Sequence, residues 1–147
     1  MPSKKETNCS RIKQSWHAIS RMYNNEAVKH DLTTTVGFIL LQIDQKEGVP
    51  STSIGPAIGM EPTSLTRTIN QMEDKGLIQR KRDKTDARKV MIVLTEKGKQ
   101  KRDISKKAVK SFNEEIQKKI APSRLKIFSE VINEINSIAD KRKPVIK

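Results

Sequence analysis

Between residues 51 and 95 the hydrophobic period of the chain changes twice, and few folds accommodate that. Ile54, Ala57 and Ile58, then Leu65, Ile69 and Met72, recur at spacings of three and four, the spacing of helices laid on a core. Pro62 opens the second of these helices at a position where proline is tolerated, and Gly59 and Gly76 end the two helices. At Leu77 the helical period stops. Leu77 to Arg82 and Lys89 to Leu94 read as two short strands, the second rich in β-branched residues. Asp83 to Arg88 form a charged loop between them, and helical periodicity returns after Thr95. Two short helices lead directly into a hairpin inside an otherwise helical chain.

The flanking segments supply helices. Cys9, Ile12, Trp16, Ile19 and Tyr23 form a heptad seam in a helix over residues 9–26, and such a seam needs a partner helix. Leu32-Thr33-Thr34 offers a cap before the stripe Val36, Ile39, Leu40 and Ile43, which Gly48 and Pro50 stop. Ser51 to Ser53 offers capping hydroxyls for the next helix, and Pro56 is expected within its first turn. Thr95 caps a long helix in which Ile104, Ala108, Phe112, Ile116 and Ile120 recur every four residues. After Ala121-Pro122, Ser123 is expected to cap a last helix with Leu125, Phe128, Val131, Ile132, Ile135, Ile138 and Ala139 on one face. The expected fold is mainly α with a small β-hairpin.

The chain of 147 residues carries a formal charge of +13, a surplus that favours a polyanionic partner, nucleic acid before an anionic membrane surface. One cysteine rules out an intrachain disulfide and a cysteine-rich zinc site. Met1-Pro2-Ser3-Lys4-Lys5-Glu6 contains no hydrophobic signal core, and the run Val36 to Leu41 is too short to span a bilayer. A cytoplasmic location is expected, with no membrane association.

The helix pair 51–76 has the form of a helix-turn-helix. Opposite the buried stripe of its second helix, at about 100° per residue, lie Thr63, Arg67, Asn70 and Asp74, with Ser64 and Gln71 on one flank and Thr66 on the other. Arg pairs with guanine, Asn or Gln with adenine, and hydroxyls with either. Residues 80–89 hold six basic and two acidic side chains. The hairpin is therefore expected to act as a wing, with Lys84 and Arg88 reaching DNA backbone or a minor groove. Asp86 suits a structural role in the loop or a charge-assisted bond to an Arg. The competing readings are a solvated helix face and a lysine-rich strand edge.

The order helix, helix, helix-turn-helix, wing, long helix, helix resembles the MarR family. Arg82-Asp83-Lys84-Thr85-Asp86-Ala87-Arg88, followed by Leu94-Thr95-Glu96-Lys97-Gly98, is similar to that family's wing signature. Ser64-Leu65-Thr66-Arg67 and Met72-Glu73-Asp74-Lys75-Gly76-Leu77-Ile78 are similar to its recognition helix and strand entry. The resemblance implies a winged helix-turn-helix at residues 31–95 and a helical dimerisation module from residues 1–30 and 96–147. It also implies a homodimer reading a palindromic operator in double-stranded DNA, as a repressor released by a small aromatic or anionic effector in a crevice. A nonspecific architectural DNA- or RNA-binding protein is the alternative.

Trp16, His17, Tyr23 and Phe112 are candidates for lining such a crevice, although aromatics at helical spacing are more often core. Cys9 on the seam is read as a small hydrophobe rather than a redox sensor, since no second cysteine is present to resolve a sulfenate. His17 and His30 have no metal-ligand spacing, and no catalytic motif is present. Neither an enzyme nor a metal or other cofactor is expected.

Overall fold

A computed structural model describes residues 6–145; the polar stretch Met1 to Lys5 lies outside the described residues. The elements are α1 (Asn8–Val28), α2 (Thr34–Gln42), β1 (Val49–Pro50), α3 (Ser51–Ile58), α4 (Pro62–Asp74), β2 (Ile78–Arg82), β3 (Val90–Leu94), α5 (Glu96–Lys119) and α6 (Pro122–Lys141). Contacts divide the chain into two compact units, one ending at Ala108 and one beginning at Val109, within α5.

The first unit is a winged helix. Leu32, Ile39, Leu40, Ile43, Ile54, Ile69, Met72, Leu77, Ile78 and Ile92 form one buried cluster. It draws on α2, α3, α4 and the sheet, so the stripes of three short helices share a single core. The sheet has three strands in the order β1-β3-β2. β2 and β3 pair antiparallel with Ile78 opposite Leu94 and Arg80 opposite Ile92. β1 pairs Val49 with Ile92. In sequence Gly48 and Pro50 read only as a helix stop, because two residues carry no period. Gly48 (φ 74°) lies so close to this pairing that a Cβ there would overlap the Ile92 carbonyl.

Helix ends follow local hydrogen bonding. Thr7 forms a capping box with Ser10 at the start of α1. Thr33 caps α2, its hydroxyl accepting from the Val36 N–H at 3.1 Å, and Thr95 caps α5 through the Gly98 N–H at 3.0 Å. Four local expectations need correction. Pro50, not a serine hydroxyl, stands at the N-cap of α3, and Ser53 Oγ donates to the Pro50 carbonyl at 2.8 Å. Pro56 is the sixth residue of α3 rather than a first-turn residue; it removes the amide that a helix directs at Thr52, and α3 ends at Ile58 with Gly59 in the left-handed region. The register of α3 buries Ile54 and Gly55 and exposes Ala57. Ala121, not Ser123, precedes α6, with Pro122 at its first position.

The start of α5 is fastened beneath the α4–β2 turn. The Thr95 N–H donates to the Leu77 carbonyl at 3.1 Å, Thr95 Oγ1 to the Gly76 carbonyl at 2.6 Å, and Lys97 Nζ to the Lys75 carbonyl at 3.0 Å. Gly98 is buried there, and a Cβ would overlap the Leu77 carbonyl oxygen. In the turn before β1, Asp44 Oδ1 accepts from the Lys46 and Glu47 N–H groups at 2.9 and 2.7 Å. Those two bonds, with the Arg102 charge adding, hold its carboxyl below the usual carboxylate value.

α1 has no buried residue. Its seam is not a core within the chain: Cys9 is exposed and Trp16 is 50% exposed, while Ala27 at the other end packs against the cluster. The second unit comprises α5 from Val109 onward and α6. It carries i,i+4 ion pairs on α5, including Lys119–Glu115 at 2.8 Å. Phe128 and Ile138 on α6 are 62% and 66% exposed. No helix among the described residues is long and apolar enough to cross a membrane.

Gly98→Ala should destabilise the protein by about 3 kcal/mol through overpacking. Gly59→Ala, with open space around it but a left-handed backbone, should cost only about 1 kcal/mol. Urea unfolding of both variants measures the difference, and equal costs would contradict the close packing at Gly98. Asp44→Ala should lower stability at neutral pH. The native carboxyl loses its proton more readily than the unfolded one, so its contribution is complete above the ordinary value of 3.8 and disappears as pH falls through the lowered native value. Wild-type and variant midpoints should therefore converge in acid; a constant gap would contradict the Asp44 turn.

Candidate nucleic-acid interface

The amphipathic pattern of α4 sets this surface. Ile69 and Met72 are buried and Leu65 half-buried, which turns Thr63, Ser64, Thr66, Arg67, Asn70, Gln71 and Asp74 outward. Arg67 has no hydrogen-bond or ion-pair partner among the described residues, so its guanidinium is available to an external acceptor. Thr66 lies on the wing side, lining a cleft of about 730 Å³ with Pro56, Arg80 and Val90. Its hydroxyl donates to the Pro62 carbonyl at 2.9 Å, which leaves an oxygen acceptor and a methyl group to face outward. Gln71 lies on the other flank, in a groove of about 420 Å³ shared with Val28, Thr35 and Lys75.

Asn70 is not a free amide. Its Oδ1 accepts from Arg80 Nη2 at 2.7 Å. The other arm of that guanidinium donates to Glu73 Oε1 at 2.7 Å, and Glu73 Oε2 takes the Arg80 backbone N–H at 3.2 Å. The sequence reading did not single out Arg80. A signal was present: alternation from Ile78 puts Arg80 on the strand face that an apolar residue normally fills.

The wing loop is built by its own aspartates. Asp83 Oδ1 accepts from the Thr85 N–H at 3.3 Å, and Asp86 Oδ1 accepts from the Arg88 N–H at 3.0 Å. The Lys89 N–H donates to the Asp86 carbonyl and the Asp83 N–H to the Lys89 carbonyl, both at 3.0 Å. Asp86 thus holds the Arg88 backbone, and its side chain makes no ion pair with the guanidinium. Lys84, Arg88 and Lys89 are exposed. Both acidic residues of the tip are occupied inside the loop, so the outward charge is positive.

The candidate crevice residues are placed as follows. Trp16 stacks on Phe38 with ring centres 6.0 Å apart, and Tyr23 meets the same ring edge-on at 5.9 Å. Phe38, one residue before the buried Ile39, was missed because it lies off the main stripe of α2. Partial burial raises the Tyr23 hydroxyl pKa. His17 is exposed on α1, and Phe112 is half-buried in the second unit. The described residues contain no group of three His, Cys, Asp or Glu side chains placed to hold a metal ion.

Residues 32–90, the core of the winged helix, match the family model described as the MarR family. The HTH-type transcriptional regulator SarZ of Staphylococcus haemolyticus is 34% identical over 80 residues, 54% of this chain and 54% of that protein. The chain spans about half the length of the curated relatives it matches. CouR from Rhodococcus jostii RHA1, solved bound to p-coumaroyl-CoA, aligns over 98% of this chain and 99% of its own at a TM-score of 0.78 and 20% identity. The S. aureus MepR–DNA complex aligns over 90% and 98% at a TM-score of 0.81 and 17% identity. These structures share the fold. The match to the MarR family is carried by the winged-helix segment at residues 32–90.

Proposed function

We propose that this protein is a transcription regulator that binds double-stranded DNA sequence-specifically, as a homodimer on an inverted repeat. The observation that carries this reading is the outward face of α4, where Arg67, Thr63, Ser64 and Asn70 stand exposed beside a basic wing whose tip aspartates accept hydrogen bonds from their own loop. Such a helix enters the major groove while the wing lies along the neighbouring backbone or minor groove. The formal charge of +13 supports a polyanionic partner. MepR, similar in fold, was solved with DNA, and SarZ is named a transcriptional regulator.

Two apolar faces support self-association. Ile12 and Trp16 are exposed on α1, and Ile127, Phe128, Val131 and Ile138 on α6. Surfaces of this kind are covered by a partner in a stable oligomer. The helical segments 1–30 and 96–147 are accordingly proposed to form the dimerisation module, flanking a DNA-binding part at 31–95. Repression of nearby genes, and release by a small aromatic or anionic effector, complete the proposal. Trp16, His17 and Tyr23 are the proposed lining of the effector site, and Trp16 and Tyr23 share the Phe38 ring. CouR, with a similar fold, was solved with an aromatic acyl-CoA.

Fluorescence anisotropy on genomic fragments, with unrelated duplex and RNA as competitors, tests this reading. Retention of one duplex against both competitors is the expected result; equal displacement by any polyanion would favour a nonspecific architectural or RNA-binding protein. Arg67→Ala should lose about 1–3 kcal/mol on the preferred duplex and little on random DNA. An equal loss on both would make Arg67 a phosphate contact. Arg88→Ala should reduce the magnitude of the salt slope of binding by about 1, and an unchanged slope would remove the wing contact.

A further inference from the structure

We propose that Arg80 is a positioning residue that fixes the hydrogen-bond polarity of Asn70, so that Asn70 meets a base as a donor. The inference rests on the reading of α4 as a base-contacting helix.

The geometry leaves Asn70 one arrangement. A guanidinium has five N–H donors and no acceptor. The end of the Asn70 amide that faces Arg80 is therefore the carbonyl oxygen, at 2.7 Å from Nη2. Arg80 is in turn held by Glu73, which takes Nη1 at 2.7 Å and the Arg80 backbone N–H at 3.2 Å. A side chain anchored at both its backbone and its tip does not swing out easily. With the carbonyl committed to a cation, the amide NH2 is the group that the exposed Asn70 offers outward.

This changes what Asn70 can recognise. The adenine pairing expected of an Asn uses the amide oxygen on N6 and the amide nitrogen on N7 together. An amide whose oxygen already accepts from Arg80 meets a base mainly through its NH2, and the matching base edges are acceptors: guanine N7 and O6, thymine O4, or adenine N7 alone, without the second bond to N6. Release of the oxygen would restore the two-bond adenine pairing. Arg80 therefore sets the base preference at the Asn70 position without touching the base.

The test compares wild type, Arg80→Lys and Asn70→Ala. Lysine keeps the charge for Glu73, but its single nitrogen replaces the fork that reaches both Glu73 and Asn70. In the first arm, the side-chain amide resonances of Asn70 are followed by NMR in the free protein, and a shift in Arg80→Lys is expected. In the second arm, affinities are measured for a preferred duplex with every single base-pair replacement. The position that loses its preference in Asn70→Ala is the Asn70 contact. At that position wild type should favour guanine or thymine, and Arg80→Lys should move the preference toward adenine by about tenfold, with other positions unchanged.

A sharp wild-type profile that Arg80→Lys leaves unaltered, or lowers equally at every position, would overturn the proposal. So would a wild-type preference for adenine over guanine at that position, which needs the amide oxygen on N6. A wild-type profile flat at every position, with the NMR shift present, would remove the base-reading premise and the proposal with it while leaving the intramolecular clamp standing.

Discussion

The winged helix depends on how the strand after α4 is fixed at its base. The Leu77 carbonyl accepts from the Thr95 N–H, and the Thr95 hydroxyl both donates to the Gly76 carbonyl and caps α5. One threonine thus joins the end of α4, the start of β2, the end of β3 and the start of α5. Gly98 permits the approach, since any larger residue would meet the Leu77 carbonyl. Ile78 and Ile92 then bury their side chains against Ile69 and Met72, and the wing leaves the core at a set angle to the helix. Arg80 adds a polar tie further along the strand.

Much of this was legible in the residues. The stripes Ile39-Leu40-Ile43 and Leu65-Ile69-Met72 are the ones that pack, because amphipathic spacing survives into the fold when a helix has a core to lie on. Thr33 and Thr95 cap where a hydroxyl precedes a helix. The failures occurred where local rules compete. Pro56 sits inside α3, where it removes a single amide bond from an eight-residue helix that buries Ile54 in the core. Ser123 does not cap because Pro122 already occupies the first helical position. The strand Val49–Pro50 is too short to leave a pattern. Arg80 was passed over as one of six basic residues in a row of charges, and its role depends on a pairing register that composition does not reveal.

The outward face of α4 and the wing show a similar division. Sequence placed Thr63, Arg67 and Asn70 on one outward face, and the fold keeps them there. What sequence could not supply is the state of each donor and acceptor. Thr66 has spent its hydrogen on the Pro62 carbonyl, Asn70 has its oxygen on Arg80, and Asp86 is bound to its own loop. The seam of α1 and the outer stripe of α6 are apolar but only partly covered in the single chain, with Trp16 and Phe128 each at least half exposed. In the proposed account those faces are where a second copy contributes, and the spacing of two α4 helices follows from that contact.

Selection of bound duplexes from a random-sequence library, followed by sequencing and by native mass measurement of the complex, tests the central claim most directly. The account predicts convergence on an inverted repeat whose half-sites are centred about one helical turn apart, roughly 34 Å, with two chains on each duplex. A pool that fails to converge, or that converges on one asymmetric site carrying a single chain, would contradict it.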